Sequence, residues 1–151
     1  MKVAIITDQH FGFKKGSKLW LDYFQKFYDD IFFPTLEKHG IDTILDLGDT
    51  FDNRKGVDLC SLNWAKDNYF DPIRDKGMSM ISIVGNHTAF YKNTNGINTI
   101  DLMLREYKNI RILEECEEIT VGGLPILFIP WINAENNTTT YKMVKDSKCK
   151  V

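Results

Sequence analysis

The sequence predicts an α/β layered fold, in which buried parallel strands alternate with helices that cover the sheet. Short apolar runs rich in β-branched residues alternate with segments whose apolar residues recur at helical spacing. The resulting order, strand-helix-strand-helix-strand-helix-strand, is typical of parallel sheets with right-handed crossovers. The chain has 151 residues, the size of one domain, and neither a linker nor a low-complexity tract divides it. We therefore expect one domain over 1–151 without an internal boundary.

The first strand is predicted over 2–7, and Ser17 can cap the helix that follows a short basic loop. Apolar side chains recur every three or four residues along this helix, at Trp20, Phe24, Phe27 and Ile31. We expect that face to cover the sheet. Pro34 should kink or interrupt the helix because it lacks a backbone N–H, and Gly40 should end it.

Two further strands are predicted in the middle of the chain, over 41–47 and 78–84. The first of them leads directly into Gly48-Asp49, and Gly85-Asn86-His87 follows the second. The helix between them is expected to begin near Asp58 and to end at Gly77.

The last part of the chain is predicted to hold a helix and three short strands, over 98–107, 110–113, 117–121 and 124–129. Gly122-Gly123 joins the last two strands and predicts a tight hairpin, because both positions tolerate positive φ angles. A weak helix over 134–146 follows, and 148–151 has the composition of a strand that has just begun.

Composition excludes several classes of protein. The net charge of −2 offers no overall electrostatic case for nucleic-acid binding, although a local basic groove remains compatible with it. Cys60, Cys116 and Cys149 form neither a disulfide framework nor a Cys-x-x-Cys pair, so we expect reduced thiols. The N-terminus shows no signal region, and no apolar run approaches the ~20 residues of a membrane span. We therefore expect a cytoplasmic protein that does not bind membranes.

Polar side chains follow each of the first three predicted strands directly. They are Asp8 and His10, Asp49 and Asp52, and Asn86 and His87. Carboxyl ends of parallel strands lie along one edge of a sheet, so we expect the three groups to converge there. Each group alone is also ordinary turn chemistry, but all three in this order favour a functional site. Mixed oxygen and nitrogen ligands suit manganese, iron or zinc in partly open coordination.

Such a cluster can serve phosphoryl chemistry. Two divalent ions about 3.5–4 Å apart activate water and neutralise phosphoryl oxygens, and Asp49 is the natural carboxylate to bridge them. His87 is placed to protonate a leaving oxygen, and Asp52 is expected to orient that imidazole and raise its pKa. His39 lies next to Gly40 at a helix C-terminus, where it complements the helix dipole, and we assign it no catalytic role.

The three groups also carry a family resemblance. Asp8-x-His10-x-Gly12, Gly48-Asp49-x-x-Asp52 and Gly85-Asn86-His87 resemble the first three motifs of the calcineurin-like metallophosphoesterase superfamily. The resemblance implies a layered β-sandwich flanked by helices, of which this chain would be the N-terminal part. It also implies residue roles: Asp8 and His10 bind one metal, Asp49 bridges, Asn86 binds the second metal, His87 is catalytic and Asp52 is its partner.

Finer details are similar to one branch of that superfamily. Phe51-Asp52-Asn53-Arg54-Lys55, Tyr91-Lys92-Asn93 and Ile129-Pro130-Trp131 resemble the SbcD-type DNA-repair nucleases, which include a phage recombination subunit. This resemblance implies a manganese-dependent phosphodiesterase of DNA with 3′–5′ exonuclease and single-strand endonuclease activity. It implies an SMC-like coiled-coil ATPase as partner, in a bacterial or phage-infected cytoplasm. It further implies a homodimer through the helices near 58–76 and 98–107, and Arg54 and Lys55 would contact DNA phosphates.

The sequence departs from that family in two respects. Thr88 follows the Gly-Asn-His motif, where relatives usually carry an acidic residue. No histidine follows His87, although the family completes its site with later histidines. The first metal would then have three protein ligands and the second only two. We expect the N-terminal part of a longer nuclease, or a truncated relative, that binds metal weakly or partially and hydrolyses poorly.

Two alternatives remain open at this point. A phosphoesterase with the same fold could act on a phosphoprotein, a cyclic nucleotide or a nucleotide sugar. A non-catalytic fragment could keep the helices for dimerisation and assembly alone. Hydrolysis of DNA would favour the nuclease, and hydrolysis of a small phosphomonoester alone would favour the other phosphoesterase. Hydrolysis of neither would favour the non-catalytic fragment.

Overall fold

A computed structural model describes residues 1–149 and has the predicted α/β layers. Four parallel strands form one sheet in the order β1-β2-β3-β4, namely Ala4–Ile6, Thr43–Asp46, Ser79–Ile83 and Ile110–Leu113. Two antiparallel strands, β5 (Glu117–Val121) and β6 (Leu124–Phe128), form a separate hairpin. Gly122 and Gly123 join them with φ angles of 58° and 85°, which confirms the predicted tight turn.

Six α-helices of at least five residues lie around these strands within residues 1–149. In chain order α1 to α6 are Lys18–Phe27, Phe33–His39, Leu59–Ala65, Asp71–Asp75, Thr99–Leu104 and Asn137–Asp146. The side chains of Asp58 and Asn98 cap α3 and α5, each accepting a hydrogen bond of 2.8 Å from a backbone N–H of the first turn. Of the strand expected over 148–151, Lys148 and Cys149 lie outside any strand, and the rest lies outside the described residues.

Prolines shape both long helical runs in the same way. A π-helical segment, Tyr28–Phe32, joins α1 to α2, and Pro34 is the second residue of α2. Likewise Lys66–Phe70 joins α3 to α4, and Pro72 is the second residue of α4. A proline ring collides with the carbonyl four residues earlier, and the wider π turn relieves that collision. The helix is therefore locally widened at Pro34, and Gly40 ends it as predicted.

The face of the first helical run that covers the sheet differs from the prediction. Leu21, Tyr28 and Phe32 are buried, whereas Trp20, Phe27 and Ile31 are 40%, 38% and 57% exposed. The run carries two apolar stripes, and periodicity alone does not say which stripe meets the core. The extra residue in the π turn, Tyr28–Phe32, also shifts the phase of the helix at Ile31, whereas Trp20 and Phe27 precede that turn. Of the four predicted residues, only Phe24 packs against the core.

The sheet separates two apolar layers. On one face, Ile44 and Met80 pack against an aromatic core contributed by the helices and loops, which includes Tyr69. On the other face, Leu45 packs with Phe128 of the hairpin. Strand residues alternate between these faces, so β2 is buried along its whole length. Within residues 1–149, no helix has the length and apolar character of a membrane span, and none of the cysteines forms a disulfide.

Candidate metal centre

The loops that follow β1 and β2 run side by side beyond the ends of the strands. The Asp8 N–H donates to the Gly48 carbonyl at 3.1 Å, and the His10 N–H donates to the Asp49 carbonyl at 3.0 Å. These bonds continue the β1–β2 pairing in irregular form. As a result, the first two polar groups predicted from the sequence lie next to each other at the carboxyl edge of the sheet.

Three candidate ligands adopt left-handed backbone conformations. The φ angles of Asp8, His10 and Asp49 are 53°, 49° and 52°. A residue with a Cβ loses on the order of 1–2 kcal/mol in this region, so the surrounding contacts must hold it there. Residues strained in this way cluster at functional sites, which favours a site over ordinary turns.

The second loop, which follows β2, approaches the third loop, which follows β3, so closely that their backbones are in contact. A Cβ on Gly85 would lie 2.1 Å from Asp49 Oδ1, and a Cβ on Gly48, whose φ is 97°, would lie 3.2 Å from the Gly85 backbone. Both positions therefore require glycine. In the space that Gly85 leaves, Asp49 Oδ1 accepts a hydrogen bond of 2.8 Å from the backbone N–H of His87. Asp49 thus links the second and third loops directly.

His10 lies at the centre of the side-chain cluster. Its Nε2 is 3.5 Å from Asp8 Oδ1, and its Nδ1 is 3.1 Å from Asp52 Oδ1. Its ring meets the His87 ring edge to face, with centroids 4.8 Å apart. The donor atoms of Asp8, His10 and Asp49 lie within 4.8 Å of one another, and so do those of His10, Asp52 and His87. The structure therefore brings together five of the six residues by their side chains.

Asp52 and His87 meet in a different way from the one expected. The His87 Nδ1 is 2.8 Å from the main-chain carbonyl oxygen of Asp52, whereas the Asp52 carboxylate lies beside His10. A carbonyl oxygen only accepts hydrogen bonds, so Nδ1 of a neutral His87 carries the proton. Its Nε2 then has the free lone pair. The orientation of His87 therefore comes from the backbone and not from the carboxylate.

The third loop carries Asn86 next to His87, and Arg54 of the second loop contacts it there. The Arg54 Nη2 donates to the Asn86 carbonyl at 2.5 Å, and its guanidinium lies 5.3 Å from the centre of the Trp131 ring. Arg54 is half-buried by these contacts, whereas Lys55 is exposed. Of the two expected phosphate contacts, only Lys55 presents its side chain freely to solvent.

Thr88 occupies the position at which the sequence departs from the family pattern. It is buried, and its hydroxyl is 3.0 Å from both the backbone N–H and the carbonyl of Gly85. The hydroxyl accepts from the first and donates to the second. Thr88 therefore closes the turn that carries Asn86 and His87, which gives it a clear structural role.

The sequence interpretation missed Asp46, which lies under the second loop. Asp46 is fully buried and accepts hydrogen bonds from the Gly48 N–H at 3.0 Å and from the Thr50 and Ser82 hydroxyls at 2.7 and 3.2 Å. Burial raises its pKa to about 6, against the lowering effect of these bonds, and the nearby Asp49 adds to the rise. The sequence did contain a sign of this role, because Asp46 lies between two leucines at the end of an apolar run, Leu45-Asp46-Leu47.

Gln9 was also missed, although it lies between two candidate ligands. It is buried, and its Oε1 accepts a hydrogen bond from the Tyr28 hydroxyl, which fastens the first loop to the helical layer. Burial raises the pKa of Tyr28 well above its ordinary value, so the hydroxyl stays protonated and continues to donate. No pattern in the sequence marks a polar residue for this role.

The cluster fits a divalent cation. Within residues 1–149, Asp8, Asp49 and Asp52 form no ion pair with lysine or arginine, although they lie close together. The Asp49 carboxylate is buried, and the His10 Nδ1 faces the Asp52 carboxylate, which leaves Nε2 on the side of Asp8. Carboxylates grouped in this way, one of them buried, are costly without a positive charge. The donors are oxygen and nitrogen, as catalytic divalent ions prefer.

The fold and the polar cluster at this edge fit the domain of a metal-dependent phosphoesterase. The chain matches the calcineurin-like phosphoesterase family over residues 1–146, and it belongs to that family. Membership in this family implies divalent metal ions, for which the cluster provides donors.

Two relatives refine the comparison. The chain is 29% identical to "Exonuclease subunit 1" of Enterobacteria phage T4 over 147 residues, which is 97% of this chain and 43% of that protein. It is 26% identical to "Putative phosphoesterase 078R" of Invertebrate iridescent virus 3 over 135 residues, 87% of this chain and 36% of that protein. The chain thus spans less than half the length of both relatives.

Proposed function

We propose that the chain is the metal-binding N-terminal part of a DNA nuclease, a metal-dependent phosphodiesterase that acts as a subunit of a recombination-repair complex. The observation that carries this proposal is the convergence of Asp8, His10, Asp49 and His87 at one edge of the sheet. Similarity to the phage exonuclease subunit supports a nuclease. From the motif resemblance to the SbcD-type nucleases, we propose DNA as the substrate, with 3′–5′ exonuclease and single-strand endonuclease activity in the cytoplasm of a bacterial or infected cell.

Two divalent ions, most suitably manganese, are held by the polar cluster in this proposal. Asp8, His10 and Asp49 hold the first ion, and Asp49 and Asn86 contribute to the second. When bound, the ions activate water and neutralise charge on the phosphoryl oxygens. Because Asp52 lies beside His10, we assign its carboxylate to the orientation of that ligand.

His87 supplies the acid chemistry in this proposal. Its Nδ1 proton is held by the Asp52 carbonyl, and its backbone N–H is held by the Asp49 carboxylate. The ring therefore keeps one orientation, with Nε2 available to hold or move a proton. An imidazole fixed in this way can protonate the leaving oxygen or stabilise the charge that develops on it.

We further propose a homodimer and an SMC-like coiled-coil ATPase as partner. The two predicted dimer segments lie side by side, since Lys66 and Glu106 form an ion pair between them. Leu59 of α3 and Leu102 of α5 are 82% and 49% exposed, so both segments offer apolar surface to a second copy. Sedimentation of Leu102→Asp against the wild type tests this surface, and an unchanged dimer would exclude it.

The experiment uses the full-length product of the source gene with manganese. Substrates are a single-stranded oligonucleotide and p-nitrophenyl phosphate, and metal binding is followed by calorimetry. His87→Ala should lower kcat on the oligonucleotide by about 10²- to 10⁴-fold and leave the metal affinity nearly unchanged. His39→Ala is the matched control, because His39 is exposed and lies at the end of α2.

Each contrary result has a defined meaning. Normal cleavage of the oligonucleotide by His87→Ala would refute the catalytic assignment. Turnover of p-nitrophenyl phosphate with DNA untouched would favour a phosphoesterase with another substrate. Metal binding without hydrolysis of either substrate would favour a non-catalytic assembly role.

A further inference from the structure

An open pocket of about 500 Å³ adjoins the candidate metal centre. One side of the pocket is formed by candidate site residues, among them Asp8, His10 and His87. The pocket is therefore continuous with the place where a phosphate would react. Its volume lies in the range of small-ligand sites, about 300–1,000 Å³.

Aromatic rings form the opposite side of the pocket. They belong to Phe13, Trp20 and Phe24. Phe13 and Trp20 meet edge to face with centroids 5.2 Å apart, and they are 36% and 40% exposed. Trp20 and Phe24 belong to the helical face that the sequence predicted to cover the sheet. Two large rings that fix each other and remain open to solvent are suited to stacking a flat apolar group.

Positive charge borders the aromatic side. Lys14 and Lys15 are exposed, and the Lys14 ammonium lies 5.4 Å from the centre of the Phe13 ring. Among the described residues, neither lysine forms an ion pair with an acidic side chain, whereas Lys18 is 3.3 Å from Asp22. The carboxylates of the nearby site repel a polyanion. These two lysines supply the positive charge that can attract one to this side of the pocket.

We propose that this pocket stacks an unpaired nucleobase next to the phosphodiester at the metal centre, and that Lys14 and Lys15 contact the adjoining phosphates. Aromatic faces beside a basic strip are the pattern by which proteins bind single-stranded nucleic acid. The inference rests on the proposed nuclease function and specifies its substrate as a single strand with its base unstacked. A phosphoserine or phosphothreonine side chain offers no flat group for these rings, and a cyclic nucleotide offers no adjoining phosphates for the two lysines.

The first test measures binding without turnover. Anisotropy of a labelled single-stranded oligonucleotide is followed in EDTA, with the full-length gene product. Trp20→Ala should weaken binding about tenfold, and Trp20→Phe should restore most of it, because a phenyl ring still stacks. Ile31→Ala is the matched control, since Ile31 is 57% exposed on the same helical run and does not line the pocket. Removing both lysines should reduce the slope of log affinity against log salt by about 2.

The second test separates the pocket from the catalytic centre. An oligonucleotide with abasic residues around the scissile phosphate keeps the phosphodiester backbone without a base to stack. Trp20→Ala should raise KM for the unmodified oligonucleotide about tenfold, whereas KM for the abasic oligonucleotide should be the same in variant and wild type. If Trp20→Ala and wild type have the same affinity and the same KM for the oligonucleotide, the proposed pocket is wrong, even if His87 proves to be catalytic. A wild-type protein that neither binds nor cuts oligonucleotides would overturn the pocket and the nuclease function together.

Discussion

At the scale of single residues, Arg54 connects the loop after β2 to the loop that carries Asn86 and His87. Its guanidinium donates to the Asn86 carbonyl and packs over Trp131, so it holds the third loop in place. A lysine cannot reproduce both contacts, because it lacks the planar fork. The neighbouring Lys55 is exposed and makes no such contact through its side chain. The two residues therefore invite a direct comparison.

Arg54→Ala and Arg54→Lys should both lower kcat and the affinity for metal, while the salt dependence of DNA binding stays near the wild-type value. Lys55→Ala should leave kcat and the affinity for metal near the wild-type values and reduce the slope of log affinity against log salt by about 1, as expected for a phosphate contact. Calorimetry with manganese and a salt series of oligonucleotide binding measure the two effects. A reduced slope in Arg54→Ala with unchanged metal affinity would return Arg54 to the role of a phosphate contact.

The sequence predicted which residues lie at the site better than it predicted how they pair. Strand ends can be located from apolar runs, so the convergence of Asp8, Asp49 and His87 could be expected. The direction of each side chain depends on backbone angles that no residue type signals, such as the positive φ of His10. For that reason the Asp52 carboxylate, expected at His87, lies beside His10.

At the scale of elements, the site depends on how closely two loops approach. The second and third loops meet where Gly85 leaves room for the Asp49 carboxylate. The elements on either side were predictable because capping residues, glycines and apolar runs mark their ends locally. The contact between the loops was not, since it depends on the register of β2 against β3, a long-range property.

Gly85→Ala should destabilise the protein by about 1–3 kcal/mol and weaken manganese binding at least as strongly as loss of a ligand would. The added Cβ would lie 2.1 Å from Asp49 Oδ1, so the carboxylate or the loop must move. Urea unfolding and calorimetry measure the two effects. Gly56→Ala is the control, because nothing lies within 4 Å of its Cβ, and it should change stability by no more than about 0.5 kcal/mol. Wild-type metal affinity in Gly85→Ala would show that the close approach is dispensable.

At the scale of the whole molecule, negative charge is grouped locally although the net charge is only −2. The carboxylates of Asp8, Asp49 and Asp52 lie at one edge of the sheet, where a divalent cation would compensate them. Asp46 lies beneath that edge, fully buried at the end of β2. Its hydroxyl and backbone partners satisfy the carboxylate, but no cation neutralises it within the described residues.

This buried carboxyl should make global stability depend on pH. Its pKa is raised from 3.8 to about 6 in the folded protein, so the folded state binds the proton more tightly than the unfolded chain. Its contribution is therefore fully present below about pH 4 and is lost as the pH rises through about 6. A shift of this size corresponds to about 3 kcal/mol. Asp46→Asn removes the titrating group and should flatten the stability profile over this interval.

Urea unfolding in EDTA from pH 4 to pH 7 measures the difference between wild type and variant. The variant also loses hydrogen bonds, so its stability at a single pH does not isolate the effect of titration. The pH dependence of the stability difference between wild type and variant does isolate it. We expect wild type to lose up to about 3 kcal/mol relative to Asp46→Asn between these limits. Asp30→Asn is the control, because Asp30 is exposed and forms no ion pair in the described part of the chain. Parallel profiles for wild type and Asp46→Asn would mean that Asp46 titrates alike in the folded and unfolded states.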